Sequence, residues 1–117
     1  MSDALAVFSP FGGHWADRWL EPGFLHVWCA IRRERFWVMV NAEAGVPVVQ
    51  TITDSDYDLA EFYRDCGEGL TVVEVGPPQR LRLPLVGTNC VGMVKAVLGI
   101  RALGVVTPYQ LYRRLIR

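Results

Sequence analysis

Two nearly unbroken apolar runs, residues 24–31 and 36–41, separated by Arg32, Arg33, Glu34 and Arg35, constrain this chain more than any other feature. Strand-length runs rich in Val, Ile, Trp and Phe on either side of a short charged turn are the mark of a β-hairpin. Strands with only one face buried alternate apolar and polar residues, whereas these are apolar at almost every position. Both faces of the hairpin must therefore be covered by other parts of the chain. The 117 residues are enough for one domain with a substantial core and too few for two.

Composition narrows the class. Hydrophobic residues make up 51% of the chain, and 12 basic side chains balance 12 acidic ones. That excludes a disordered chain as the main description and argues against a nucleic-acid partner, whose footprint is a strongly basic face. No apolar run reaches the 18 to 20 residues of a membrane span. The first residues lack a basic segment followed by a long apolar one, so an export signal is not expected and the protein is read as cytoplasmic as synthesised. Cys29, Cys66 and Cys90 are odd in number and lack CxxC spacing. Neither a disulfide framework nor a zinc site is expected, and no cofactor is implied.

The rest of the chain supplies covering layers. Residues 4–8 read as a short apolar strand, and 9–23 as a loop-rich segment holding His14, Trp15 and Trp19. Residues 46–52 form another β-rich run. Asp54 is the expected N-cap of an amphipathic helix over 56–66 that stops at Gly67. Strands are expected at 70–75 and 80–85. From Cys90 to Gly99 the only charge is Lys95, as in a buried helix, with Gly92, Ala96 and Gly99 allowing close approach to a sheet. Thr107 and Pro108 open a C-terminal helix over 108–117 with a basic end. The fold class is α+β, an antiparallel sheet packed on a central buried helix, in a single domain whose core spans 24–104.

Chemistry points first to Cys90. Thr88 and Asn89 precede it as a capping signal, which places the thiol in the first helical turn. Unpaired N–H groups and the positive end of the helix dipole there favour thiolate and lower the usual pKa of about 8.5. The Cys90 amide, beside Asn89, is a candidate oxyanion donor. His26 is the candidate base. A hairpin centred between Arg33 and Glu34 pairs residue 31 with 36, 29 with 38, and His26 with Asn41, so the Asn41 amide would orient the imidazole. Glu43 and Gln50 are alternatives for that orienting role, and His14 for the base. Cys29 and Cys66 read as core thiols, the tryptophans as core and rim, and Arg32 to Arg35 as a solvated hairpin tip.

The order of a histidine strand, a polar partner on the next strand, and Asn89-Cys90 opening an apolar helix resembles the circularly permuted papain-like cysteine hydrolases. Those are relatives of the NlpC-type cell-wall peptidases and of lecithin retinol acyltransferase. The likeness covers about residues 24 to 104 and rests on Leu25-His26-Val27 and on Asn89-Cys90-Val91-Gly92. It differs from the family at Trp28 and Cys29, where smaller residues are common. It implies Cys90 as nucleophile, His26 as general base, Asn41 as third member and acyl transfer through a thioester, with peptidoglycan peptides as the leading substrate. Without an export signal, a phage-encoded protein carried in the virion would fit. A non-catalytic structural or adaptor protein of a virion, using the same fold, is the alternative. A lipid acyltransferase ranks third for want of a membrane anchor.

Overall fold

The computed structural model describes residues 3–11, 21–43, 46–76, 90–100 and 104–117. Five strands form one antiparallel sheet: β1 (Ala4–Ser9), β2 (His26–Arg33), β3 (Phe36–Glu43), β4 (Val46–Asp54) and β5 (Thr71–Val75), in the order β4-β3-β2-β1-β5. Three helices accompany it: α1 (Leu59–Asp65), α2 (Cys90–Leu98) and α3 (Pro108–Leu115). The α+β class and the antiparallel sheet are as the apolar runs require. Residues 80–85, Thr88 and Asn89, together with His14, Trp15 and Trp19, lie outside the described residues.

β1 is buried along its whole length, which extends the core beyond residues 24–104. It pairs with β2 on one side and β5 on the other, and all six of its residues are buried. Successive side chains of a strand point to opposite faces. Leu5 and Val7 pack with Ala30, Trp37 and the α1 residues Leu59 and Ala60. Ala4, Ala6 and Phe8 pack on the other face with Val27, Cys29, Val91 and Val94 of α2, and Leu111 of α3. The sheet is thus sandwiched between α1 and the α2–α3 layer, which is why neither hairpin strand needed a polar face.

The hairpin register differs from the expected one by two residues. Cys29 pairs with Val40, Ile31 with Val38 and Arg33 with Phe36, leaving Glu34 and Arg35 as the turn, with Glu34 at φ 53°. β2 extends through Arg32 because that residue is held on both sides. Its N–H bonds the Asp3 carbonyl at 2.9 Å, and its guanidinium lies 4.7 Å from the ring centre of its cross-strand partner Trp37. Arg32 is therefore half-buried rather than part of a solvated tip. A two-residue change keeps every side chain on its own face, whereas a one-residue slip would reverse them all.

Local corrections follow from capping and strand length. Asp54 ends β4 instead of capping a helix, since the Ser55 N–H bonds the Arg35 carbonyl and holds the chain extended to that point. Asp58 is the cap of α1, its carboxylate accepting from the Glu61 N–H at 3.1 Å. Starting later, α1 buries Leu59 and Ala60 and half-buries Tyr63, and Gly67 follows its C-cap at φ 78°. Cys66 is that C-cap, past the last turn facing the sheet, and is exposed rather than core. α2 turns Val91, Met93, Val94 and Leu98 inward; of the three small residues Gly99, just past its end, is buried, while Gly92 and Ala96 are only half-buried. Thr107 caps α3 as expected, in a reciprocal capping box with Gln110.

Phe8 tests the claim that β1 organises both layers. Fully buried, it meets Phe24 and Tyr112 edge-on at 5.7 and 5.6 Å. In denaturant unfolding, Phe8→Leu is expected to cost about 1–2 kcal/mol and Phe8→Ala about 3–5 kcal/mol. Val49→Ala, at a side chain 66% exposed on the edge strand, should stay within about 0.5 kcal/mol. Equal costs at Phe8 and Val49 would contradict the central placement of β1.

Candidate functional site

At the end of the β2–β3 ladder the chain brings together a thiol, an imidazole and a carboxamide. His26 is the first residue of β2 and Asn41 lies on β3. Continuing the observed register sets Asn41 opposite Trp28, so Asn41 is the diagonal neighbour of His26 instead of its direct partner. The two remain on one face, within the reach of long side chains across a diagonal. His26 Nε2 and Asn41 Oδ1 are 2.7 Å apart. An amide oxygen only accepts, so the ring donates to it through Nε2, and Nδ1 is left for another partner.

The His26 ring is also a hydrogen-bond partner of Cys90, the first residue of α2, which reaches the ladder's end from the α2 layer. Burial pushes its thiol up, but a hydrogen bond to the thiolate from the protonated His26 ring, another from the Val27 N–H, the charge of that ring and a bond from the Val91 N–H outweigh burial and bring it below its ordinary value. The Val91 N–H belongs to the first helical turn, where backbone donors have no intrahelical acceptor. The expected effect of the helix start thus operates together with a donor from the adjoining strand.

The neighbours of the three groups are largely aromatic. The Trp28 ring centre is 6.1 Å from that of His26 and 5.9 Å from that of Tyr63. The indole N–H of Trp28 is buried without a hydrogen bond in good geometry, although it is directed toward the Tyr63 hydroxyl. Ser9, the rung partner of His26 on β1, is buried and accepts from the Phe11 N–H at 3.0 Å. The Val27 donor escaped the sequence reading because a backbone group carries no residue-type signal. Only the pairing geometry reveals it.

Of the alternative orienting residues, Gln50 is exposed on the edge strand opposite Met39, and it is Asn41 that bonds His26. The Glu43 and Asn89 side chains and His14 fall outside the description. The other two thiols differ sharply from Cys90. Cys29 is buried, its sulfur 3.8 Å from the Val40 carbonyl, and desolvation pushes its pKa up to about 12. Cys66 is exposed and donates to the Tyr63 carbonyl at 3.1 Å.

Among the described residues, no three His, Cys, Asp or Glu side chains gather as a metal site would require, and no helix is long and apolar enough to cross a membrane. No protein-family model matches the chain, and no significant similarity to a curated protein or a solved structure was found.

The site makes a direct prediction about thiol chemistry. In a Cys66→Ser background, the rate of Cys90 alkylation by iodoacetamide should titrate with a midpoint below that of an ordinary thiol. Removing the imidazole in His26→Ala should move that midpoint upward, because burial then acts with less opposition. An unchanged midpoint in His26→Ala would separate the two residues.

Proposed function

We propose that the protein is a small cysteine hydrolase of the circularly permuted papain-like type, cleaving an amide bond in a peptide. The observation that carries this reading is the convergence of Cys90, His26 and Asn41, with the His26 ring bonded through Nε2 to the carboxamide and the Cys90 thiol below its ordinary pKa. A lowered thiol next to an oriented imidazole is the arrangement that nucleophilic catalysis requires.

In this mechanism His26 Nδ1 takes the Cys90 proton, and the thiolate attacks the amide carbonyl carbon. The carbonyl electron pair moves onto oxygen, where the Cys90 N–H, free of an intrahelical acceptor at the helix start, is the donor we assign. The tetrahedral intermediate collapses, the carbon–nitrogen bond breaks, and the imidazolium gives its proton to the departing amine. A water, deprotonated by His26, then attacks the thioester. The acid is released and Cys90 regains its proton. Asn41 holds the ring in the tautomer and orientation that both halves need.

Peptidoglycan peptides are the leading substrate by analogy with the cell-wall relatives, and a phage-encoded, virion-carried protein is the setting we favour. Digestion of purified muropeptides tests this. Cys90→Ala and His26→Ala should each lower product formation by roughly a thousandfold or more, and Asn41→Ala by less, since it acts through the histidine. Equal product from wild type and Cys90→Ala would remove Cys90 from the mechanism.

A second reading, a non-catalytic virion or assembly protein with the same fold, is favoured by the large apolar side chains left at the surface. Phe11, Val106 and Ile116 are each more than half exposed. Under that reading the muropeptides stay intact with every variant.

A further inference from the structure

The neutral net charge conceals a division between the two faces of the sheet. Residues 54–68 carry six carboxylates against Arg64 alone, and α1 within them packs on the Leu5 and Val7 face. Residues 104–117 carry three arginines and no acidic side chain, and α3 packs on the opposite, Phe8 face. The acidic stretch and the basic helix therefore pack on opposite sides of the sheet.

On that basic side lies an open groove of about 300 Å³, whose lining among the described residues includes Val105, Tyr109, Arg113, Arg114 and Arg117 and no carboxylate side chain. Its walls are held in place. Lys95 Nζ on α2 donates to the Val105 carbonyl at 2.8 Å, and Gln110 Oε1 accepts from the N–H groups of Val106 and Thr107 at 2.9 and 3.2 Å. Arg113 Nη1 donates to the Tyr109 hydroxyl at 3.3 Å, with its guanidinium 5.9 Å from that ring's centre. At least one of the three cations is thus partly ordered before anything binds, which lowers the entropy cost of engaging a ligand.

Phe24 relates the groove to the Cys90 site. The Tyr109 ring lies 5.1 Å from Phe24. Phe24 stands two residues before His26, a chain distance of at most about 7 Å. Phe24 and Cys90 both pack against the same core cluster.

We infer that this groove is a recognition subsite for carboxylates, and that the peptide cleaved at Cys90 is an acidic one. The inference rests on the cysteine-hydrolase reading, because the oxyanion that a peptide carries is the carboxylate. Guanidinium groups match it with paired, parallel N–H donors. The groove's volume, at the small end of ligand pockets, suits one or two acidic side chains rather than a whole peptide. The remaining length of the substrate then lies along Phe24 toward His26.

Binding is measured on full-length Cys90→Ala, so that no turnover interferes, by fluorescence anisotropy with a labelled tri-glutamate peptide and with trialanine and trilysine controls. Tri-glutamate should bind roughly tenfold tighter than trialanine, the weight of one charge-assisted contact, and weaken as salt is raised. Adding Arg113→Gln and Arg117→Gln to that protein should abolish the preference while its melting temperature holds, since both side chains are exposed. In the active chain the same acidic preference should appear as a lower KM for an acidic than for a neutral peptide amide.

Equal binding of the three peptides would overturn the proposal, as would an acidic preference that survives the double substitution. So would tighter binding of an oligonucleotide of equal charge, or self-association that the same substitutions abolish, since either assigns the groove to another occupant. Failure of the hydrolase reading is separately visible. Muropeptides left intact alongside selective tri-glutamate binding would reject catalysis and keep the groove, whereas Cys90-dependent cleavage with no acidic preference would do the reverse.

Discussion

Burial of β1 on both faces is the constraint from which the rest of the arrangement follows. A six-residue strand with no exposed side chain, hydrogen-bonded on both edges, requires a strand on each side and a covering layer above and below. α1 covers Leu5 and Val7, and α2 with α3 covers Ala4, Ala6 and Phe8. Because α2 must lie over Val27 and Cys29, its first residue comes to the end of β2 where His26 begins. The position of Cys90 is in that sense a product of where the core needed an aliphatic helix.

Electrostatics then distinguishes three thiols of one chain. Cys29 has the surroundings that burial alone produces, apolar and without a cation, and its proton is held to about pH 12. Cys66, at the end of a short helix, is exposed to water. Cys90 is desolvated too, yet it has an imidazole and two backbone N–H groups directed at its sulfur, and these reverse the sign of the shift. Depth of burial therefore does not set the direction of a thiol's pKa shift; the donors around the sulfur do.

Much of this was legible in the residues. The apolar character of residues 24–31 and 36–41 demanded a covered sheet, Thr107-Pro108 announced α3, and the parity of the hairpin placed Asn41 on the face of His26 even though the register was two residues away. What escaped has physical reasons. Arg32 looked like a turn residue because its stacking on Trp37 depends on a cross-strand neighbour, which no local pattern encodes. Asp54 and Asp58 are equally good caps by type, and the Ser55 to Arg35 backbone bond decides between them. Cys66 has helical spacing, but the helix ends before it. The Val27 N–H, a backbone donor at a strand start, leaves no trace in a sequence.

The account stands or falls on His26 being held through Nε2 by Asn41 and presenting Nδ1 to Cys90. Long-range proton–nitrogen NMR of the histidine ring reads this directly. The neutral ring should be the Nε2–H tautomer, and Cys90→Ala should move chiefly the Nδ1 resonance, while Asn41→Ala should move chiefly Nε2. An Nδ1–H tautomer, or a ring indifferent to the loss of Cys90, would contradict it.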